Sequence, residues 1–261
     1  MRDPIKIVAV AACCLWLLVP VRAQQTAGAL AASAQTSGGG ATNGDAVVPV
    51  VSKWKFKTGG SVYSTPVIEG GVAYFGSYDY YFYAIESATG RALWKYKTGG
   101  RILGSPALSG GVVYFGSQDT RLYALDAATG KERWKFKAEY AVNSAPVVSG
   151  QIVYCAGTVG LLYAIDTQTG RELWRFSAEA GAPTSPLVVG STLYVGSGRG
   201  LHAVDAATGQ KKWTARTTRP VVSAPVVGGE TIYFTSLDNQ LHAVDAATGH
   251  KRWTFTAEGG L

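Results

Sequence analysis

Six tryptophans, Trp54, Trp94, Trp134, Trp174, Trp213 and Trp253, stand 40, 40, 40, 39 and 40 residues apart. Five of them close the same phrase. Ala124-Leu-Asp-Ala-Ala-Thr-Gly130 leads to Trp134, with copies beginning at Ala84, Ala164, Ala203 and Ala243, and the Trp always follows the Gly by four residues. A fixed period of this length means one supersecondary unit used repeatedly, as in propellers and solenoids. No other property of the chain restricts its fold so strongly.

Each unit holds four runs suited to strands. In one unit they are Pro106–Ser109, Val112–Gly116, Arg121–Asp126 and Arg133–Lys137, separated by Ser109-Gly-Gly111, Ser117-Gln-Asp-Thr120 and Ala128-Thr-Gly130. Short runs joined by tight turns, without helical periodicity, predict a four-stranded antiparallel meander. One such sheet cannot bury both faces, whereas sheets packed in series can. The expected fold is therefore all-β, a β-propeller of four-stranded antiparallel blades. Pro66, Pro106, Pro146, Pro186 and Pro225 open the first run of each unit, where a missing N–H does least harm. Gly90, Gly130, Gly170, Gly209 and Gly249 are placed where a turn needs positive φ. The acids Glu86, Asp126, Asp166, Asp205 and Asp245 are expected to cap that turn.

The phrase running from Leu122-Tyr-Ala-Leu-Asp-Ala-Ala-Thr-Gly-Lys to Trp134 resembles the tryptophan-docking motif of the pyrroloquinoline-quinone (PQQ) enzyme-like propellers, and the resemblance covers residues 53–261. It implies that Trp54, Trp94, Trp134, Trp174, Trp213 and Trp253 wedge between neighbouring blades. That family includes quinoprotein dehydrogenases as well as non-enzymatic scaffolds, among them the propeller lipoprotein of the outer-membrane β-barrel assembly machinery. The chain has six Trp runs but five copies of the other three, hence five complete blades plus one extra strand. Rings in the family usually have seven or eight blades. Two readings stay open: a closed five-bladed ring with Trp54 or Trp253 displaced, or an open arc of an incomplete seven- or eight-bladed propeller. The arc is favoured, and it implies unpacked faces at both terminal sheets and self-association through them.

Residues 1–23 read as a signal peptide, with Arg2 and Lys6 ahead of an apolar stretch from Ile7 to Val21. Residues 24–52 read as a flexible, Gly-rich tether and residues 53–261 as the repeats. The protein is accordingly expected to be periplasmic or secreted and not transmembrane after cleavage, with lipoprotein anchoring at Cys13 as the lesser alternative. Cleavage removes Cys13 and Cys14 and leaves Cys155 alone, which excludes an internal disulfide. The formal net charge of the full chain is +7. Of the 21 Lys and Arg beyond residue 23, 17 lie on the Trp run or the turn before it. Lysines on an outermost strand block edge-to-edge pairing, so this charge belongs to the fold and does not point to nucleic acid.

No catalytic, cofactor or metal set stands out. By resemblance, a quinoprotein dehydrogenase would carry a vicinal Cys-Cys over the quinone, a catalytic Asp, and calcium held by Glu and Asn. The one Cys-Cys here, Cys13-Cys14, falls in the signal. Cys155 takes the place of Phe75, Phe115, Val195 and Phe234 and reads as a small core residue. His202 and His242 replace Tyr83, Tyr123 and Tyr163 and read as packing residues. What varies is the connection between units, and variable loops on a rigid scaffold are where recognition concentrates. Tyr63, Arg101, Tyr140, Asn143 and Arg219 are the candidate partner-binding residues. The expected function is a non-catalytic extracytoplasmic scaffold for protein–protein interaction, binding protein partners of the cell envelope in outer-membrane protein assembly. The alternative is a fragment or relative of a PQQ-dependent quinoprotein dehydrogenase.

Overall fold

The computed structural model describes residues 53–178, 181 and 183–258, so the expected signal peptide (1–23) and tether (24–52) lie outside the described residues. The described residues form five four-stranded antiparallel sheets, each with its strands adjacent in chain order. Sheet 1 comprises β1 (Val67–Glu69), β2 (Val72–Gly76), β3 (Tyr81–Glu86) and β4 (Ala92–Lys97). Sheet 2 comprises β5 (Ala107–Ser109), β6 (Val112–Gly116), β7 (Arg121–Asp126) and β8 (Glu132–Lys137). Sheet 3 comprises β9 (Val147–Ser149), β10 (Ile152–Ala156), β11 (Leu161–Asp166) and β12 (Glu172–Ser177). Sheet 4 comprises β13 (Leu187–Val189), β14 (Thr192–Ser197), β15 (Gly200–Asp205) and β16 (Lys211–Arg216). Sheet 5 comprises β17 (Val226–Gly228), β18 (Thr231–Ser236), β19 (Gln240–Asp245) and β20 (Lys251–Thr256). No helix among the described residues is long and apolar enough to cross a membrane.

Pairing register places the motif. In sheet 2, Tyr114 faces Ala124 and Ala124 faces Trp134, while Phe115, Tyr123 and Lys135 form the neighbouring row. Because side chains alternate along a strand, these rows belong to opposite faces. The Trp row packs forward onto the next sheet and the Phe–Tyr row packs back onto the preceding one. Ala at the middle of the Trp row leaves room for the indole. All five sheets carry a register shift just before the Asp/Glu turn, between Ala124 and Leu125 in sheet 2.

The seams between sheets are the core. Between sheets 1 and 2, Tyr74, Phe82 and Ala84 meet Val113, Phe115 and Leu125, with Trp94 and Tyr96 packed against them. Phe82 and Phe115 stack with centroids 4.0 Å apart. Burying such aromatic pairs contributes roughly 1 kcal/mol beyond area alone. Cys155 is fully buried in the seam between sheets 2 and 3, beside Trp134, Val153 and Tyr163, and burial pushes its thiol pKa up.

Four of the Trp residues reach 32 or 33 residues forward for a hydrogen bond. Trp54 Nε1 donates to Ser87 O (2.9 Å), Trp94 to Ala127 O (3.0 Å), Trp134 to Thr167 O (2.8 Å) and Trp174 to Ala206 O (3.1 Å). Trp213 Nε1 is buried without a hydrogen-bond partner, although its indole lies against Gly249 as the other indoles lie against their glycines. The motif glycine is the floor of the socket. Gly130 has φ +70°, and a Cβ there would lie 2.6 Å from the Trp94 indole. The turn thus needs Gly for its backbone conformation and again for the neighbour's ring.

The two ends differ from the expectation of two open faces. Residues 53–58 lie on sheet 1, where Trp54 and Phe56 pack against Ala73, Phe75, Tyr83 and Ile85. Phe56 meets Phe75 and Tyr83 edge-on at 6.1 and 5.3 Å. No described residues cover sheet 5 in this way: Val226, Trp253 and Phe255 are 63%, 45% and 49% exposed. Among the described residues, then, one terminal sheet is covered and the other is not, because Trp docking runs in one direction along the chain and Trp54 fills the first socket.

Candidate functional site

The loops joining successive sheets lie over the turns between the second and third strands of the sheet they enter. Gly59 N and Gly99 N donate to the carboxylates of Asp79 and Asp119, each at 2.7 Å. A Cβ on Gly60 would sit 2.7 Å from Asp79 N, and one on Gly100 would sit 2.5 Å from Asp119 N. The Gly-Gly pairs of these loops therefore permit a backbone-to-backbone approach that any side chain would block. The same carboxylates accept from Tyr83 Oη (2.7 Å) and Tyr123 Oη (2.6 Å). Burial alone would raise the Asp79 pKa, but hydrogen bonds from Tyr83, Tyr81 N, Gly59 N and Ser77 outweigh it and hold the carboxyl below its usual range. Burial, and then the bond to Asp79, push the Tyr83 phenol up.

Tyr63 and Arg101 come together through a residue that the loop argument passed over. Tyr63 packs against Tyr78 with ring centroids 4.7 Å apart, and the Arg101 guanidinium lies 5.1 Å from the Tyr78 ring centroid. Tyr63 is 69% exposed. Arg101 has no carboxylate partner among the described residues. Tyr78 sits in the Ser77-Tyr-Asp79 turn, whose equivalents are Ser117-Gln-Asp119 and Ser236-Leu-Asp238. That recurrence was readable and would have pointed to this turn.

The other three candidates stand apart from that group. Tyr140 is exposed, in the loop where Glu139 N donates to Tyr163 Oη (3.1 Å) and the Glu139 carboxylate pairs with Arg175. Asn143 lines a cavity of about 200 Å³ with Ser144, Ala156, Thr158, Pro183 and Ser185. Its Oδ1 is buried without a partner. Arg219 is exposed, and its carbonyl accepts from Thr217 Oγ1 (2.7 Å).

A Ser-His-Asp cluster that the sequence reading did not register lies in sheet 5. Ser236 Oγ is 2.9 Å from His242 Nε2, Asp238 Oδ1 is 3.3 Å from the same nitrogen, and Ser236 Oγ also bonds Asp238 Oδ1. A nucleophilic relay needs the acid on one imidazole nitrogen and the hydroxyl on the other. Here both crowd one nitrogen, and His242 is stacked on Phe234 at 5.0 Å. The cluster caps the Ser236–Gln240 turn, as Asp79 and Asp119 do with tyrosine partners. Burial would raise the Asp238 pKa, but bonds from Ser236 and His242 lower it.

The motif acids hold their turns as capping requires. Asp126 Oδ1 accepts from Thr129 N (3.0 Å) and Thr129 Oγ1 (2.8 Å), and Arg133 pairs with Oδ2 at 2.9 Å. The bond from Arg133, then those from Thr129, bring the Asp126 pKa down to about 2. Among the described residues no group of three or more His, Cys, Asp or Glu is placed to hold a metal ion.

Residues 51–104, 98–200 and 158–260 match the family model described as outer membrane protein assembly factor BamB. No curated protein sequence matches the chain significantly. Among solved structures, BamB from Moraxella catarrhalis is similar at 21% identity and TM-score 0.67, over 77% of this chain and 66% of that one. The computationally designed Ika8 protein is similar at 16% identity and TM-score 0.67, over 76% of this chain and 62% of that one. The quinohemoprotein alcohol dehydrogenase ADHIIG from Pseudomonas putida HK5 is similar at 21% identity and TM-score 0.66, over 78% of this chain and 43% of that one. The chain thus spans less than two thirds of each of these structures, and at such identities the likeness concerns the fold. With the family model matched across nearly all the described repeats, the chain belongs to the PQQ-like β-propeller repeat family described as the outer membrane protein assembly factor BamB.

Proposed function

We propose that this protein is a non-catalytic, extracytoplasmic scaffold that binds protein partners of the cell envelope through the loops joining its sheets, in the service of outer-membrane protein assembly. The observation that carries this reading is the Tyr63–Tyr78–Arg101 group. Aromatic rings packed on one another offer a large contact area at small entropic cost, and Arg and Tyr are over-represented where binding energy concentrates. Arg101, without a carboxylate of its own, favours an acidic stretch on the partner. Buried sheets and Gly-Gly loops pinned to Asp79 and Asp119 hold the group in place. Tyr140, Asn143 and Arg219 extend the surface along later loops. The family's description supports the envelope setting, and residues 1–23 support export.

A photo-crosslinking residue placed at Tyr63 or Arg101, in cells that export the chain, tests the proposal. Adducts with envelope proteins are expected there, lost on Arg101→Glu, and not expected from Leu173 on β12. Equal labelling from all three positions contradicts it.

The dehydrogenase reading draws on the structural likeness to ADHIIG. Two features of the described residues favour the scaffold over it. Cys155 is enclosed between sheets 2 and 3, and no cluster of metal-ligating side chains is present among the described residues. Titration with PQQ and calcium is expected to leave the quinone absorbance unchanged; a saturable spectral shift would favour the dehydrogenase.

A further inference from the structure

The cavity beside Asn143 departs from its counterparts in the repeat. It lies between sheet 3 and the loop that enters sheet 4, has a volume of about 200 Å³, and is lined by Asn143, Ser144, Ala156, Thr158, Pro183 and Ser185. Asn143 and Thr158 stand where Tyr63 and Tyr78 stand in sheet 1, 80 residues earlier in the chain. There the two tyrosine rings pack with centroids 4.7 Å apart. In sheet 2 the pair is Leu103 and Gln118, again two long side chains. Sheet 3 puts two short polar side chains in these places, and the space beside them is the cavity. Its lining is polar but carries no charge. Asn143 Oδ1 is buried without a partner. Ser185 Oγ accepts from Ala145 N at 3.0 Å, which leaves its own proton to donate. Thr158 adds a second hydroxyl, while Ser144 Oγ is already bonded to both Ala156 N and Ala156 O.

We propose that this cavity binds a neutral, hydroxyl-bearing six-membered ring, a single sugar unit. The size follows from the volume. A cavity of roughly 150 Å³ takes one benzene, so about 200 Å³ takes a ring with its substituents. The chemistry follows from the lining. A carboxylate brings no proton for Asn143 Oδ1 and meets no cation here, and an ammonium meets no carboxylate. A hydroxyl can donate to Oδ1 and accept from Ser185 at once. An enclosed carbonyl oxygen without a donor costs free energy, and a ligand hydroxyl recovers it. Ala156 and Pro183 add an apolar wall suited to the C–H face of a sugar ring. This inference does not rest on the protein partners proposed above, which engage the Tyr63–Tyr78–Arg101 group at sheet 1.

Titration of the isotope-labelled full chain with galactose and with lactose, followed by nuclear magnetic resonance, tests it. Saturable shifts are expected at the Asn143 side-chain amide and the Ser185 backbone amide. Tighter binding of galactose assigns the site to a free sugar, and tighter binding of lactose assigns it to the end of a glycan. Read at Ser185, Asn143→Leu should weaken binding by about tenfold or more, as loss of a buried hydrogen bond does. Leu173→Ala, on the outer strand of sheet 3, should leave it unchanged. The double variant Asn143→Tyr, Thr158→Tyr copies the sheet 1 pair and should abolish binding; Asn143→Leu keeps the test decisive if the double variant fails to fold. No shift at either amide with either sugar leaves the cavity to water and overturns the proposal. Equal binding of tetrahydropyran, a ring without hydroxyls, or binding indifferent to Asn143→Leu, overturns it as well.

Discussion

Sheets 1 and 5 are built from the same repeat and end the series in opposite conditions. Sheet 1 receives Trp54 into its Gly90 socket, whereas Trp253 of sheet 5 has no turn to enter and stays 45% exposed. The difference comes from the direction of docking. Each Trp from Trp54 to Trp213 lies against the motif glycine of the following sheet, so Trp54 covers sheet 1, while among the described residues no glycine turn receives Trp253. Residues that look equivalent by period are therefore unequal in energy.

The largest expected contrast follows from that inequality. Trp134, 9% exposed and bonded to Thr167 O, should cost about 3–5 kcal/mol on Trp134→Ala, as aromatic truncations in cores do. Trp253→Ala, at a site 45% exposed, should cost about 1 kcal/mol or less, as surface changes do. Denaturant unfolding of both variants checks this, and equal losses would erase the difference between the ends.

Next in size, Gly130→Ala forces a Cβ toward Trp94 at a residue with φ +70°. Backbone strain and overpacking together should cost about 2–4 kcal/mol. The matched change at Gly110 (φ +57°) meets nothing within 4 Å, and so should carry the backbone part alone. A melting comparison separates the two; identical losses would mean the indole does not rest on the glycine.

The turn carboxylates predict acid sensitivity. Asp126 and Asp245 are held at about 2, and Asp79, Asp166, Asp205 and Asp238 are lowered. A depressed folded-state pKa contributes stability that is present above the unfolded value, near 3.9, and is lost as pH falls through the folded value. The midpoint should be insensitive to carboxylate titration above about pH 5 and decline between roughly pH 4 and pH 2. Asp126→Asn should weaken that decline; an unaltered acid profile would remove the capping role.

The smallest effect concerns Thr120, a β-branched residue at φ +71° whose carbonyl accepts from Ala138 N at 2.8 Å. Sheet 3 places Gly160 at the equivalent turn with φ +76°. Thr120→Gly should relieve strain and leave stability unchanged or raised by about 1 kcal/mol. A clear loss, read by calorimetry, would mean the Thr side chain contributes packing that exceeds its strain.

Much of the fold was legible before the structure. The 40-residue period, the Trp spacing and the short apolar runs Val112–Gly116 and Arg121–Asp126, buried on both faces, carry the inner strands, and the alternation in Trp134-Lys-Phe-Lys137 carries the outer one. What the period could not show was which end is covered, since that depends on the forward reach of each indole and not on its spacing. The candidate group was half legible. Tyr63 and Arg101 stood out as loop variation, but Tyr78, which joins them, sits in a turn within the repeat. Ser236, Asp238 and His242 escaped notice because a Tyr-to-His exchange looks like packing until the turn folds back on it. Asn143 was chosen as a loop residue, while its buried Oδ1 depends on how neighbouring sheets meet.

The central claim is that forward docking leaves one indole bare and covers every earlier one. Indole N–H exchange, followed by nuclear magnetic resonance, tests it most directly. Trp54, Trp94, Trp134 and Trp174, each bonded to a carbonyl of the next turn, should exchange slowly, and Trp253 should exchange fast. Slow exchange at Trp253, or exchange at Trp54 as fast as at Trp253, would contradict the account.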